Sequence, residues 1–312
     1  MELENIKKYI AETIKPQKGI TLQQLAEKLD IKDYELLGII ELLKQDGVMI
    51  DVIDNKVFKV KSVKNEENTY EIKDPSEEHK LLLISDTHLV NKADRLDILN
   101  YLYKKADEKG VKHILHCGDL LDGIYSNRPQ QLLELKKYGF DEHLRYVVDK
   151  YPRFNGSTYF IGGNHQDTYI RNGGADIGKA IAREREDMNY LDQSTAHIKI
   201  GNLGILLHHG SGGNAYSRTY KIQRYVETLP LDKKIDIVVM GHYHNSGYLH
   251  YLGKHCFQMG CLCDESPFVR SMGLSHERSC WWLDVNTDNK GNVVDITPKL
   301  ETFNQKKLIK RR

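Results

Sequence analysis

The chain has 312 residues, 40% of them hydrophobic and 29% charged, with a mean hydropathy of −0.55. That profile excludes disordered and fibrous classes and leaves room for one large domain, or a domain with a smaller appendage. The 45 Lys and Arg against 44 Asp and Glu leave a formal charge of +1, so no global field selects a nucleic acid or a membrane as partner.

Three further features of composition point the same way. No run approaches the ~18–20 apolar residues of a membrane span, and the acidic start MELENIKKYI lacks the pattern of a signal peptide. The five cysteines are an odd number in a long chain and fit reduced thiols, so a cytoplasmic protein with no membrane partner is expected.

Residues 1–62 read as three short helices and a hairpin. The segments are ENIKKYIAETI, TLQQLAEKL with Thr21 as N-cap, DYELLGIIELLKQDG, and two short strands around Asp54 and Asn55. This order resembles a winged helix-turn-helix domain, which implies a third helix offered to a DNA major groove. That helix carries Asp33, Glu35, Glu41 and Asp46 against Lys44, and residues 1–62 hold ten Lys against eleven Asp and Glu. DNA binding therefore stays open beside a second reading, a protein partner or dimerisation through residues 1–62. Residues 63–79 are polar and charged around Pro75 and read as a linker or a peripheral strand, with the main domain over 80–312.

From residue 80 one grammar recurs: a short apolar strand, then a turn bearing carboxylate, amide or imidazole. LLLIS leads to Asp86 and His88, HILHC to Gly118 and Asp119, and TYFIG to Gly163, Asn164 and His165. GILLH leads to His209 and Gly210, and DIVVM to Gly241, His242 and His244. Amphipathic helices around 95–108, 130–150, 177–187 and 216–229 separate these strands, which predicts an α/β layered core with its site at one strand edge. Oxygen and imidazole donors in this number suit Mn²⁺, Fe, Zn²⁺ or Ni²⁺, and exceed what one ion needs, so two divalent ions are expected, with Asp119 the natural bridge.

The motifs D-x-H, G-D, G-N-H, H-G and G-H-x-H, in this order over residues 80 to about 285, resemble the calcineurin-like metallophosphoesterase superfamily. The resemblance implies two mixed β-sheets sandwiched between helices, preceded here by the small winged-helix-like domain. It implies that Asp86, His88 and His244 hold one metal and Asn164, His209 and His242 the other, with Asp119 bridging and Mn²⁺ the leading ion. His165 matches the family histidine that contacts the substrate phosphate and aids leaving-group departure. The implied reaction is phosphodiester hydrolysis by metal-bound hydroxide on a nucleic acid or nucleotide. Phosphomonoesterase activity and a non-catalytic subunit are the alternatives.

Several residues carry weaker expectations. The family has an acid after G-N-H, and this chain has Gln166 followed by Asp167, which leaves the partner of His165 undecided. Strand alternation lets only one of His208 and His209 reach the metals, and the resemblance, which places the ligand directly before Gly, implies His209. The loop Gly210–Arg218 offers Tyr216 and Arg218 as substrate contacts, while tight turning and packing explain the same residues. Tyr125, Tyr169 and Tyr243 stand near the motifs as base-stacking or core residues. Cys261 and Cys263 form a lone C-x-C and read as core or strand cysteines. His113, His116, His143, His197, His250, His255 and His276 read as ordinary histidines, and the basic run from Lys306 reads as a solvated tail.

Overall fold

The structure, a computed structural model, describes residues 6–7, 9–10, 13–14, 20–45, 50–53, 55–59, 69–126, 128–230 and 233–303. Asp46, Asp54, residues 60–68 and the basic tail lie outside the described residues. The backbone separates into two compact units, Met1–Glu67 and Asn68–Arg312.

In the first unit, β1 (Ile20–Thr21) leads into α1 (Leu22–Leu29), α2 (Asp33–Gln45), β2 (Ile50–Ile53) and β3 (Lys56–Lys59), with sheet order β1-β3-β2. Thr21 caps α1 because its hydroxyl accepts the Gln24 N–H at 3.2 Å while the Gln24 side chain accepts the Thr21 N–H at 3.4 Å, a capping box. Leu22, Leu25, Ala26 and Leu29 then fall on one face and pack with Leu36, Ile40, Leu43 and Val57. Ile6, Ile10 and Ile14 join that core from the expected first helix, which is described only in part.

The second unit holds two six-stranded sheets. One runs β15-β14-β5-β6-β7-β8, comprising β5 (Glu78–Ile84), β6 (His113–His116), β7 (Ser157–Phe160), β8 (Met188–Tyr190), β14 (Ser279–Thr287) and β15 (Val293–Thr302). The other runs β12-β13-β11-β10-β9-β4, comprising β4 (Thr69–Ile72), β9 (Thr195–Ile200), β10 (Leu203–His208), β11 (Ile237–Met240), β12 (Gly247–Tyr251) and β13 (Lys254–Gln258). Strands β5 to β8 are mutually parallel, as are β10, β11 and β13. Alternation along β5 explains the layering: Leu81 and Leu83 face Ile205, Leu207, Val239 and Phe257 of the opposite sheet, while Leu82 and Ile84 face outward to helices.

Those outer layers are α3 (Leu96–Glu108), α4 (Phe140–Lys150) and α6 (Ile177–Glu184) on one sheet, and α7 (Tyr220–Val226) on the other. Two short helices, α5 (Asp167–Gly173) and α8 (Pro267–Ser271), lie in loops after β7 and β13. This is the expected arrangement of two mixed sheets between helices.

Two boundaries differ from expectation. Of the two readings of 63–79, linker or peripheral strand, the second holds at Thr69–Ile72, where β4 pairs in parallel with β9 at the sheet edge, and β5 already starts at Glu78. Tyr70 and Ile72 alternate toward the inter-sheet core, and polar neighbours masked that alternation in the sequence. The helix expected over 130–150 is two elements, a 3₁₀ turn at Pro129–Glu134 and α4, since Gly139 adopts φ 89° at the start of α4.

Candidate metal centre

Every motif residue sits where a parallel strand ends. Asp86 and His88 follow β5, Asp119 follows β6, Asn164 and His165 follow β7, His209 follows β10, and His242 and His244 follow β11. Five of them adopt left-handed backbone: Asp86 φ 51°, His88 φ 42°, Asp119 φ 48°, His242 φ 78° and His244 φ 51°. L-residues rarely hold that conformation, and its concentration here marks a site whose surroundings force the geometry. Gly118 and Gly163 are required for the approach. A Cβ on Gly118 (φ +91°) would lie 2.2 Å from the Gly162 carbonyl oxygen, and one on Gly163 2.3 Å from Asp119 Oδ1.

The two carboxylates organise two donor groups. Asp86 Oδ1 stands 3.2 Å from His244 Nε2, Asp86 Oδ2 accepts the His242 N–H at 3.0 Å, and His88 Nε2 lies 3.2 Å from His244 Nε2. Asp119 Oδ2 stands 2.9 Å from His209 Nε2, and its Oδ1 accepts the His165 N–H at 2.9 Å. Within Asp86–His88–His244, and again within Asp119–His209–His242, one donor atom from each residue lies within 4.8 Å of the others.

Burial alone would push both carboxyls up, but adjacent imidazoles prevail and hold Asp86 and Asp119 well below the usual carboxylate range. Conversely, burial opposes charge on His209, yet the Asp119 carboxylate lifts it to about 9. His242 goes down, from burial and from the nearby His209.

The hydrogen bonds leave donor atoms free in the sense a cation needs. His209 Nδ1 lies 2.8 Å from the Cys117 carbonyl oxygen, to which it donates, so Nε2, turned to Asp119, is the nitrogen that a cation would take in exchange for its proton. His242 Nε2 donates to the Gly212 carbonyl at 2.9 Å, leaving Nδ1. Asn164 Nδ2 donates to the Tyr125 hydroxyl at 3.0 Å, and its buried Oδ1 has no hydrogen-bond partner. Buried oxygen and imidazole donors with vacant lone pairs fit divalent cations of the borderline and hard class.

His209 reaches this cluster while its neighbour His208 does not: His208 turns away, 2.8 Å from the Thr195 hydroxyl and stacked on Tyr225. The partner of His165 is neither Gln166 nor Asp167. Gln166 is buried with an unpartnered amide, and Asp167 accepts from Gln193 Nε2 at 2.7 Å. Asp122 serves instead: its Oδ1 lies 2.5 Å from His165 Nδ1 and 3.3 Å from His88 Nδ1, while Oδ2 accepts from Asn91 at 2.6 Å. Sequence reasoning passed over Asp122, although its position three residues after Asp119 was a usable signal.

A cleft of about 500 Å³ opens over the cluster. Tyr216 and Arg218, expected as substrate contacts, do not line it, although Gly212, Gly213 and Asn214 of the same loop do. Tyr216 is fully exposed, and Arg218 pairs with Glu277 at 3.1 Å because the glycine loop turns them outward. Its cations are Arg128, whose guanidinium lies 4.9 Å from the Tyr125 ring and 4.6 Å from the Phe268 ring, and Arg171, bonded to the Asn164 carbonyl at 3.2 Å.

The calcineurin-like phosphoesterase superfamily domain matches residues 80–278. The chain belongs to that superfamily. No curated protein matches the sequence. Among solved structures, this calcineurin-like phosphoesterase is similar to Vps29 of Entamoeba histolytica complexed with zinc, at 16% identity over 72% of this chain and 99% of that chain, with a TM-score of 0.36. A predicted phosphoesterase of Streptococcus pneumoniae TIGR4 matches at 13% identity over 72% and 98%, TM-score 0.35. A putative 5′-nucleotidase of Staphylococcus aureus matches at 13% identity over 72% and 54%, TM-score 0.45. The superfamily domain spans all seven residues expected as metal ligands, and His165.

Proposed function

We propose that residues 68–312 form a phosphodiesterase dependent on two divalent cations, Mn²⁺ foremost, acting on nucleic acid or a nucleotide. The observation that carries this reading is the convergence of Asp86–His88–His244 and Asp119–His209–His242 beneath one cleft, with His165 at its wall. Asp86, His88 and His244 would hold one ion and Asn164, His209 and His242 the other, with Asp119 serving both. Bound cations supply Lewis acidity to phosphoryl oxygens and lower the pKa of water at the site.

The protein's own groups do the rest. Asp122 fixes the ring of His165 through Nδ1, which leaves Nε2 to meet the departing oxygen of the ester. Arg171 and Arg128 present positive charge to a phosphate, and Tyr125 and Phe268 offer ring faces to a base. A nucleic-acid substrate is supported by the helix-helix-hairpin order of the first unit, read as a winged-helix-like domain that binds DNA or mediates dimerisation; that support is fold-level analogy. The free, buried cysteines accord with a reducing cytoplasm.

The test compares hydrolysis of bis-p-nitrophenyl phosphate, p-nitrophenyl phosphate, and single- and double-stranded DNA and RNA, with Mn²⁺ or chelator and Asp119→Asn as control. Metal-dependent cleavage of the diester and a nucleic acid, absent in the variant, is the expected result. Turnover of the monoester alone overturns the diester assignment.

A further inference from the structure

A second donor cluster lies against the first. One donor atom from each of His244, Cys261, Cys263 and His276 lies within 4.8 Å of the others. Cys261 is fully buried and Cys263 nearly so, and Cys261 Sγ stands 3.5 Å from His276 Nδ1.

Three backbone segments hold these side chains. The Cys261 N–H bonds to the Glu277 carbonyl at 2.9 Å, the Glu277 N–H to the His244 carbonyl at 2.8 Å, and the Leu262 N–H to the Asp86 carbonyl at 3.0 Å. Leu262 packs in the hydrophobic core at a bend, and Cys261 and Cys263 on either side of it are held by isolated bridges to Arg278 and Asp94. Cys117 donates to the His208 and Val239 carbonyls and Cys256 to that of Lys254, and Cys261 likewise reaches the Glu277 carbonyl at 3.6 Å, but Cys261 also stands against an imidazole.

We propose that Cys261, Cys263, His276 and the free edge of His244 bind a thiophilic divalent cation, Zn²⁺, in a site adjoining the cleft. Two sulfurs and two imidazole nitrogens are the donor set of a closed tetrahedral site, with bonds of about 2.0–2.3 Å. His244 turns Nε2 to Asp86 and His88, so holding this ion as well through its other nitrogen would require the ring to give up its N–H proton to solvent and bind as an imidazolate. The ring thus ties this ion to the donor group of Asp86. The site stands independently of the phosphodiesterase reading, since a chain without hydrolase activity still offers the same four donors.

The test titrates the full-length protein, chelator-stripped and reduced, with Co²⁺. Wild type and Asp119→Asn are expected to show sulfur-to-cobalt charge-transfer absorption in the near ultraviolet. Cys261→Ser and Cys263→Ser are expected to lose it while keeping visible cobalt absorption from the oxygen and imidazole centre. Absence of the band in wild type, or its survival in both serine variants, overturns the proposal. Because these variants can fail to fold, zinc-edge X-ray absorption of the zinc-loaded wild type is a second measurement. Sulfur at about 2.3 Å supports the site, and a shell of nitrogen and oxygen alone overturns it.

Discussion

Asp122 takes His88 and His165 on one carboxylate oxygen and Asn91 on the other, so a single side chain orients both a candidate metal ligand and the candidate acid. Asp122→Asn exchanges that acceptor for an amide and should keep bound metal while turnover falls roughly 10²–10⁴-fold, the usual worth of a positioned acid; wild-type turnover with an unchanged pH profile removes Asp122 from this role. His165→Ala should likewise retain metal and lose most turnover, whereas Asp119→Asn should lose turnover together with the metal of the Asp119–His209–His242 group, as metal analysis beside kinetics will report. Gly163→Ala places a methyl 2.3 Å from Asp119 Oδ1 and should weaken metal binding by about 10–100-fold, measurable by calorimetric titration. At this scale the Asp and His residues that the structure gathers into the two donor groups were legible because each follows an apolar strand. Asp122 offered only its spacing from Asp119 as a signal, since it falls among leucines and glycine where an acid reads as loop. For Tyr216 and Arg218 a glycine loop does not disclose which way its flanks turn.

Glu301 shows how elements are fastened behind the site. Its carboxylate on β15 accepts from Lys105 of α3 at 2.7 Å, Trp282 of β14 at 2.7 Å and Tyr101 of α3 at 3.0 Å. Burial pushes its pKa up, but Lys105 outweighs that and the net shift is down. A depressed carboxyl contributes stability that is complete above the unfolded value of about 4.3 and is lost as pH falls through the folded value. Glu301→Gln should therefore lower stability at pH 7 by about 1–3 kcal/mol and should flatten the loss of stability below pH ~4, as urea unfolding across pH will show. Strand and helix positions were largely readable from apolar period, since β5, β6, β10 and β11 are buried on both faces. Edge strand β4 was readable only as one of two alternatives, linker or peripheral strand, because only Tyr70 and Ile72 face inward, and the break before α4 depends on a backbone angle that composition does not display.

At the scale of the molecule, each unit closes its own core, the first around Leu25, Leu36 and Val57 and the second in and around its two sheets. Calorimetry should resolve two transitions. Added Mn²⁺ should raise only the one belonging to residues 68–312, by about 2.7 kcal/mol at a hundredfold excess over Kd; a metal-dependent shift of both would contradict separate cores. The two-sheet layout was legible as alternating strands and helices, while the assignment of strands to sheets was not, since β14 pairs with β5 across most of the unit. Such long-range closure has a consequence for biosynthesis. Asp86 and His244 are 158 residues apart, and neither three-residue donor group is complete until the turn bearing His242 and His244 has been translated. Metal capture would therefore wait until residue 244 has been translated, and a chain halted by a premature stop before residue 242 leaves the ribosome without either complete donor group.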